Sequence, residues 1–415
     1  MNQVRNAERI MRGVGELFLN SMKFANNVNR SYSDEFAKEG GKVGYTVNAR
    51  LPQRYRVNKG QALVISPVND NIVPITITDQ AHIGLEFSMA SLTLEIEDYK
   101  KRYIAPAVEA LVNQLDFDGL QRMYQEVWNT VGTPGVVPGS TGTLPQAAMA
   151  PYLAANTKLT SFGIGVAGRI AILSPAMHAS LMSGVSQLFS PASQIASNFK
   201  TGMFGGAALG IEEWYMDQNL AVHTVGALGG APQVNGAGQT GTTLLVKNAT
   251  ANVVGFWKKG DVIQLTGVYG VNSMNYQSIG ILQDFVVQAD VDTTAGGLAT
   301  VSIKPALSTS GTSQTVNAGA ADSAPITTFG HVSAYANLPS PQGLIYNPDA
   351  FACVMVDLEM PGGVWAAERI RNKALGIAVR FVKAYSVMTD QSPARLDIMY
   401  GWKAVRPEMA VRVAS

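Results

Sequence analysis

Cysteine is nearly absent. Cys353 stands alone in 415 residues, so no disulfide can form within the chain. Stability must come from packing or from association. Charge is scarce as well: 15% of residues are charged against 47% hydrophobic. A chain with few charges hides much of its surface, in a core or against copies of itself. Neither sign dominates. Lys and Arg total 31, Asp and Glu 30, for a net charge of +1, which argues against binding by phosphate neutralisation. No block of like charge marks a tail for nucleic acid or membrane. No apolar run reaches the roughly 18 residues that span a bilayer. The polar opening Met1–Glu8 lacks the apolar core of a signal peptide. The expectation is a soluble chain made and kept in the cytosol.

Catalytic constellations are missing too. No G-x-x-x-x-G-K-[ST] phosphate loop occurs, and His82, His178, His223 and His331 are scattered without metal-ligand spacing. Cys353 lies in the apolar run Phe351–Val356 and reads as a small core residue. Glu212-Glu213 and Asp116/Asp118 are the paired carboxylates, and acidic positions on helices are expected to be solvated. Gly163-Ile164-Gly165-Val166-Ala167-Gly168 matches the dinucleotide pattern G-x-G-x-x-G. That motif needs a strand before it and a helix after it. Here a strand follows, and Lys158–Ser161 before it reads as a weak strand, so a loop is the better reading. The expectation is no catalytic residue, no cofactor and no metal.

What the chain does contain is an ordered series of elements. Residues 1–42 read as an arm, with an amphipathic helical pattern over 1–30 that carries Arg5, Arg9 and Phe18 and suits packing either on a neighbour or on its own domain. Residues 43–91 read as a long two-stranded excursion. Tyr45, Val47, Ala49 and Leu51 alternate, as do Val73, Ile75 and Ile77, and Arg50, Arg54, Arg56 and Lys59 lie along it. A two-stranded hairpin is marginal in water, so this one must lie on something, either its own body or an adjacent subunit. Arg5, Arg9, Phe18, Arg50, Arg54, Arg56 and Lys59 are therefore the candidate inter-subunit contacts. Residues 92–134 hold a long helix over 95–130. Its stripe is Ile104, Val108, Leu111, Leu115, Leu120, Met123 and Val127, and Gly132–Gly135 stops it.

Residues 135–223 are mixed: a short buried strand at Arg169–Pro175, a helix at Met177–Gln187 and a Gly-rich loop at Gly202–Gly210. Residues 224–336 change to Gly, Ala, Thr, Ser and Asn, with short strands at Thr243–Lys247, Val262–Val268, Phe285–Val291 and Ala299–Ile303. Val246, Val262, Leu265, Phe285, Val287, Val301 and Ile303 are apolar positions on these strands, and alternation should turn many of them inward. This segment reads as a small all-β insertion. Residues 337–415 return through strands at Phe351–Leu358, Ile377–Ala384 and Arg395–Tyr400.

Three stretches carry a family resemblance. Ala378–Asp390, Arg395–Trp402 and Val405–Val413 resemble the closing segment of tailed-bacteriophage major capsid proteins. Gly343–Ala352 with Leu358–Pro361 resembles the strand that re-enters that family's core. Lys259–Val268 with Thr300–Leu307 is similar to the inserted domain of the podovirus coat-protein branch. The order of elements agrees along the whole chain. The resemblance implies an α+β fold of the Hong Kong ninety-seven phage capsid type. Its parts are an N-terminal arm, an extended β loop, a peripheral domain with a long spine helix, an axial domain and an inserted all-β barrel. It implies a coat protein that assembles as hexamers and pentamers into an icosahedral shell around double-stranded DNA. The implied partners are a scaffolding protein and a portal, without sequence-specific DNA binding or a membrane. Assembly would take place in the host bacterial cytoplasm. Some relatives crosslink a loop lysine to an asparagine; Lys59 is available, but this branch is not typically crosslinked. Two other classes stay open at this point: a nucleotide-dependent enzyme built on Gly163–Gly168, and the shell protein of a cellular nanocompartment.

Overall fold

The computed structural model describes residues 22–32, 46–57, 59–61, 71–88, 105–140, 145–186, 208–329, 336–364, 366–372, 377–389 and 391–415. In chain order the first elements are β1 (Thr46–Arg50), β2 (Ile72–Thr76), β3 (Asp79–Ser88), α1 (Ala105–Met123), β4 (Thr130–Gly132), α2 (Pro145–Ser161), β5 (Ile170–Leu173), α3 (Pro175–Ser186), β6 (Glu213–Met216) and β7 (Val222–Thr224). Then come β8 (Gly230–Val234), β9 (Gly241–Ala249), β10 (Val262–Val271), β11 (Ser278–Val287), β12 (Ala299–Leu307) and β13 (Ile326–Thr328). The chain returns through β14 (Pro339–Tyr346), β15 (Phe351–Met355), β16 (Ala366–Asn372), β17 (Ile377–Lys383), β18 (Gln391–Ala404) and β19 (Ala410–Ala414). Two compact units result. One comprises Met1–Arg50, Ile72–Leu120 and Phe351–Val405; the other Leu51–Asn71, Gln121–Ala350 and Arg406–Ser415.

The first unit is built on a sheet ordered β15-β18-β17-β16, with β3 also paired to β18. The antiparallel pair β1-β2 buries Val47, Ala49 and Ile75. Strands β1 and β2 thus pair as the alternation predicts. Strand β3 departs from the expected two-stranded excursion, because Asp79–Ser88 pairs residue for residue with Gln391–Tyr400. Helix α1 turns Val108, Leu111, Val112, Leu115 and Leu120 inward and Glu109, Asn113 and Phe117 outward, the i, i+3/i+4 stripe of an amphipathic helix.

Two expectations in this region need correction. The helix expected over 95–130 is described only from Ala105, and a 3-10 turn at Tyr124–Glu126 follows it. It ends well before Gly132 because Asn129 hands its Nδ2 to the carbonyls of Glu408 and Ala410, at 3.3 and 3.2 Å, drawing the chain into β4. The arm helix expected over 1–30 has only Met22–Tyr32 described, and that stretch is a 3-10 turn at Ala25–Asn27. Its Phe24 stacks on Trp402 (5.0 Å between centroids) and meets Phe351 edge-on. Gly119 makes room for this wedge: a Cβ there would stand 2.6 Å from the Trp402 ring and 2.9 Å from Phe24.

The second unit holds two six-stranded sheets. One runs β4-β19-β14-β5-β6, with β7 pairing β14. The other runs β13-β10-β11-β12-β9-β8 and nearly closes on itself. Gln233 bridges Pro325 across the remaining gap, Val234 N donates to Ala324 O (3.0 Å) and Ser323 N to Val234 O (2.9 Å). Alternation fills its interior. On β9, Leu244 and Val246 are buried while Leu245 is exposed; on β12, Val301 and Ile303 are buried while Thr300 and Ser302 are exposed. Six of the seven expected inward residues share that core. Val262 is buried but lies outside it.

The strand expected at Phe285–Val291 is displaced to Ser278–Val287. Its first half pairs with β10 across an irregular register (Tyr269↔Leu282), a length that apolar alternation alone did not mark. Lys158–Ser161 is not a strand but the last turn of α2, a helix the sequence reading missed. Gly163 ends that helix at φ +83°. Its N–H reaches Thr160 O and the Ile164 N–H reaches Leu159 O, a Schellman closure that needs a left-handed residue. The G-x-G-x-x-G stretch is thus a helix C-cap and a turn into β5, with no helix N-terminus for a phosphate.

Candidate functional site

Around Val262 on β10 and Asp284 and Val286 on β11, residues alternating with the core of the barrel-like sheet do not face water. Ile263, Leu265, Phe285 and Val287 point into the core. Val262, Asp284 and Val286 point the other way, and all three are buried. Residues of β4, β7, β19 and α2 meet this sheet and the loop before β10 through polar contacts.

Asp284 is fully buried and is the hub of one cluster. Its Oδ2 accepts from Lys158 Nζ, at the end of α2, and from the Thr130 backbone N–H of β4 at 3.0 Å. Its Oδ1 accepts from Gln264 Nε2 at 2.7 Å. Lys158 Nζ also donates to Thr130 O at 3.0 Å. Each charge therefore has an opposite partner and further hydrogen bonds, the condition under which a buried ion pair is tolerated.

Asp261 is the hub of a second cluster. Its Oδ1 takes the Nε2 hydrogen of His223 at 2.7 Å, and its Oδ2 accepts from the backbone of Lys258 (2.8 Å) and Gly226 (3.1 Å). The other ring nitrogen, His223 Nδ1, is hydrogen-bonded to Tyr124 Oη at 3.3 Å. Arg412, on β19, donates from Nη1 to Gly260 O at 2.9 Å and lays its guanidinium 5.7 Å from the centre of the Tyr124 ring. Burial pulls the Arg412 pKa down to about 10, against the pull of Tyr124, Asp261 and Asp284, so it stays a cation at neutral pH. At the margin Lys304 pairs with Glu126 at 2.6 Å. A second seam lies at the end of α2, where Asn272 Nδ2 and Ser273 Oγ donate to the Ser161 and Phe162 carbonyls, both at 2.9 Å.

Every carboxylate in this joint is engaged by hydrogen-bond donors. No group of three His, Cys, Asp or Glu side chains converges on a metal position among the described residues. The arrangement holds a β barrel-like sheet against a mixed sheet.

The residues singled out from the sequence lie elsewhere. Arg5, Arg9 and Phe18 fall outside the described residues. Arg50 is exposed at the end of β1. Arg54 pairs with Glu408 at 3.3 Å, Arg56 covers the Tyr276 ring at 5.6 Å, and Lys59 is exposed. Between them Tyr55 and Val57 stand in solvent, 65% and 86% exposed. Asp116 corrects the expectation of solvated helix acids. It is buried and accepts from the backbone N–H groups of Lys23, Phe24 and Ala25 at 2.8, 3.2 and 2.9 Å. Asp118 accepts from Tyr400 Oη at 2.5 Å. The joint residues carried a signal that went unused: Asp284 and Arg412 each interrupt an apolar strand, where a lone charge must find a buried partner.

A family model described as "P22 coat protein - gene protein 5" matches residues 14–413. No curated protein matches the chain. Solved structures with similar traces include one from Mycobacterium phage Che8, 15% identical, covering 94% of this chain and 90% of that one, with a TM-score of 0.47. The mature capsid of bacteriophage PhiM1 is 9% identical, with coverages of 90% and 82% and a TM-score of 0.41. The virus-like particle from Pyrococcus furiosus is 7% identical, covers 98% of both chains and has a TM-score of 0.41.

Proposed function

Because the chain belongs to the P22 coat protein family and is a major capsid protein of a phage shell, we propose that its copies close as hexamers and pentamers into an icosahedral shell around double-stranded DNA. The family match over residues 14–413 carries this reading. A shell of one chain needs several similar interfaces, and low charge with a single cysteine suits a subunit completed by its neighbours. In this reading 43–91 is the extended loop, 92–134 the peripheral domain with the spine helix, and 135–223 with 337–415 the axial and peripheral return. Residues 224–336 are the inserted barrel, supported by the nearly closed sheet and its separate core. The subunit has no catalytic role and is assembled in the bacterial cytoplasm with a scaffolding protein and a portal.

The basic loop carrying Arg50, Arg54, Arg56 and Lys59 contacts an adjacent subunit, as do Arg5, Arg9 and Phe18 of the arm. Exposed Tyr55 and Val57 support the loop contact, since an apolar loop tip in water gains by being covered. Electron microscopy of the expressed chain, with and without its scaffolding protein, tests the whole reading. Closed particles or rings of five and six are expected. A chain that stays monomeric under all assembly conditions would sink it. Deleting Gln53–Asn69 should spare the folded monomer and impair assembly; unfolding instead would place the loop in the monomer's own core.

A further inference from the structure

We propose that Asn235-Gly236 is a latent deamidation site at the closing seam of the barrel-like sheet, held shut by Asp322. It is the only Asn-Gly pair in the chain, and both residues are exposed. In deamidation the backbone nitrogen of the following residue attacks the asparagine side-chain carbonyl carbon. A new C–N bond forms, the bond to the amide nitrogen breaks, and the proton lost from the attacking nitrogen leaves with ammonia. The cyclic imide then takes up one water and opens at either carbonyl, to aspartate or isoaspartate. Glycine favours this because no side chain obstructs the attack.

Here the attacking nitrogen is engaged. Gly236 N–H donates to Asp322 Oδ1 at 2.7 Å. The asparagine backbone is held as well: Asn235 N–H reaches Leu245 O at 2.9 Å, and Gln239 Nε2 donates to Asn235 O at 2.8 Å. A carboxylate on an amide N–H can act as a base or as a restraint, and the surroundings of Asp322 decide between them. Lys247 Nζ at 2.8 Å and the Gly236 N–H hold the Asp322 pKa down to about 2. Such a weak base gains little hold on an amide proton, whereas its hydrogen bond ties the attacking nitrogen to Asp322 and must break before the nitrogen can attack.

The site bears on the fold. The Val234–Ala324 and Ser323–Val234 bonds that bridge the seam lie immediately beside it. The imide nitrogen has no hydrogen to give Asp322, and the product sets a second negative charge next to that carboxylate. Deamidation therefore loosens the seam.

Peptide mapping by mass spectrometry on the full-length chain in mildly alkaline buffer tests this. Asn235 in native protein should deamidate at least about tenfold slower than in urea-unfolded protein, the factor one charge-assisted hydrogen bond carries. Asp322→Ala should remove most of that protection in the native state. Equal rates in native and unfolded wild type, a comparison that needs no variant, would overturn the proposal. So would a folded Asp322→Ala chain as slow as wild type. The product mimic Asn235→Asp should speed hydrogen exchange at the Val234 and Ser323 amides. Unchanged exchange there would refute the link to the seam.

Discussion

Lys158 and Asp284, 126 positions apart, form an ion pair that solvent scarcely reaches. It joins the end of helix α2 to the outward face of β11 in the barrel-like sheet. Asp284→Ala would leave the buried ammonium without its opposite charge and the Thr130 N–H without its acceptor. The expected cost is about 3–5 kcal/mol in urea denaturation of the purified subunit. Replacing both partners, Lys158→Met with Asp284→Leu, should cost clearly less than the two single changes together, because no buried charge is stranded. A strictly additive double variant would show that the pair is not coupled.

Asp116 should anchor the segment around Phe24. Asp116→Ala removes the acceptor of three backbone N–H groups. A loss of at least about 2 kcal/mol is expected, with faster hydrogen exchange at Phe24 and Ala25. Asp116→Asn keeps one carbonyl acceptor and should lie between. Exchange at those two amides unaltered by Asp116→Ala would contradict the assignment.

Stability should decline at alkaline pH through Cys353. Burial pushes its thiol pKa up from the ordinary value of 9.0, with Asp116 adding to the shift and Arg30 opposing it. The folded pKa is the raised one, so the contribution is fully present below the unfolded pKa. Above about pH 9 the unfolded chain ionises first and the contribution is progressively lost. Cys353→Ala should flatten the stability profile between about pH 9 and 10. Tyr152, raised by burial from 10.0, extends the decline beyond that range. A thiol reagent should label native protein only as fast as it unfolds; prompt labelling would show the thiol to be open.

The barrel-like sheet should fold by itself. A fragment of residues 224–336 is expected to give a cooperative thermal transition with a β-type circular dichroism spectrum. Phe285 is fully buried in that core, and Phe285→Ala should cost about 3–5 kcal/mol. A fragment without a transition, or a variant of unchanged stability, would remove the case for independence.

Local pattern determined a good deal. Alternation marked β9, β10 and β12 and six residues of their shared core, since period-two burial is written directly in a strand. The apolar stripe marked α1, and the apolar run around Cys353 marked β15. Composition alone excluded disulfides, and the order of elements carried the family. Tertiary structure decided the rest. Helix α2 was hidden because Ala, Thr and Asn give it almost no amphipathic contrast. The end of α1 depended on Asn129 reaching carbonyls some 280 residues away. Strand β3 joined β18 rather than a hairpin, because pairing partners are chosen by register across the whole sheet. The joint was least visible of all. Asp284, Lys158, His223, Asp261 and Arg412 are ordinary polar and charged residues in sequence. Only the folded chain sets them against one another out of water, where a charge is held by its partners and not by its neighbours in the chain.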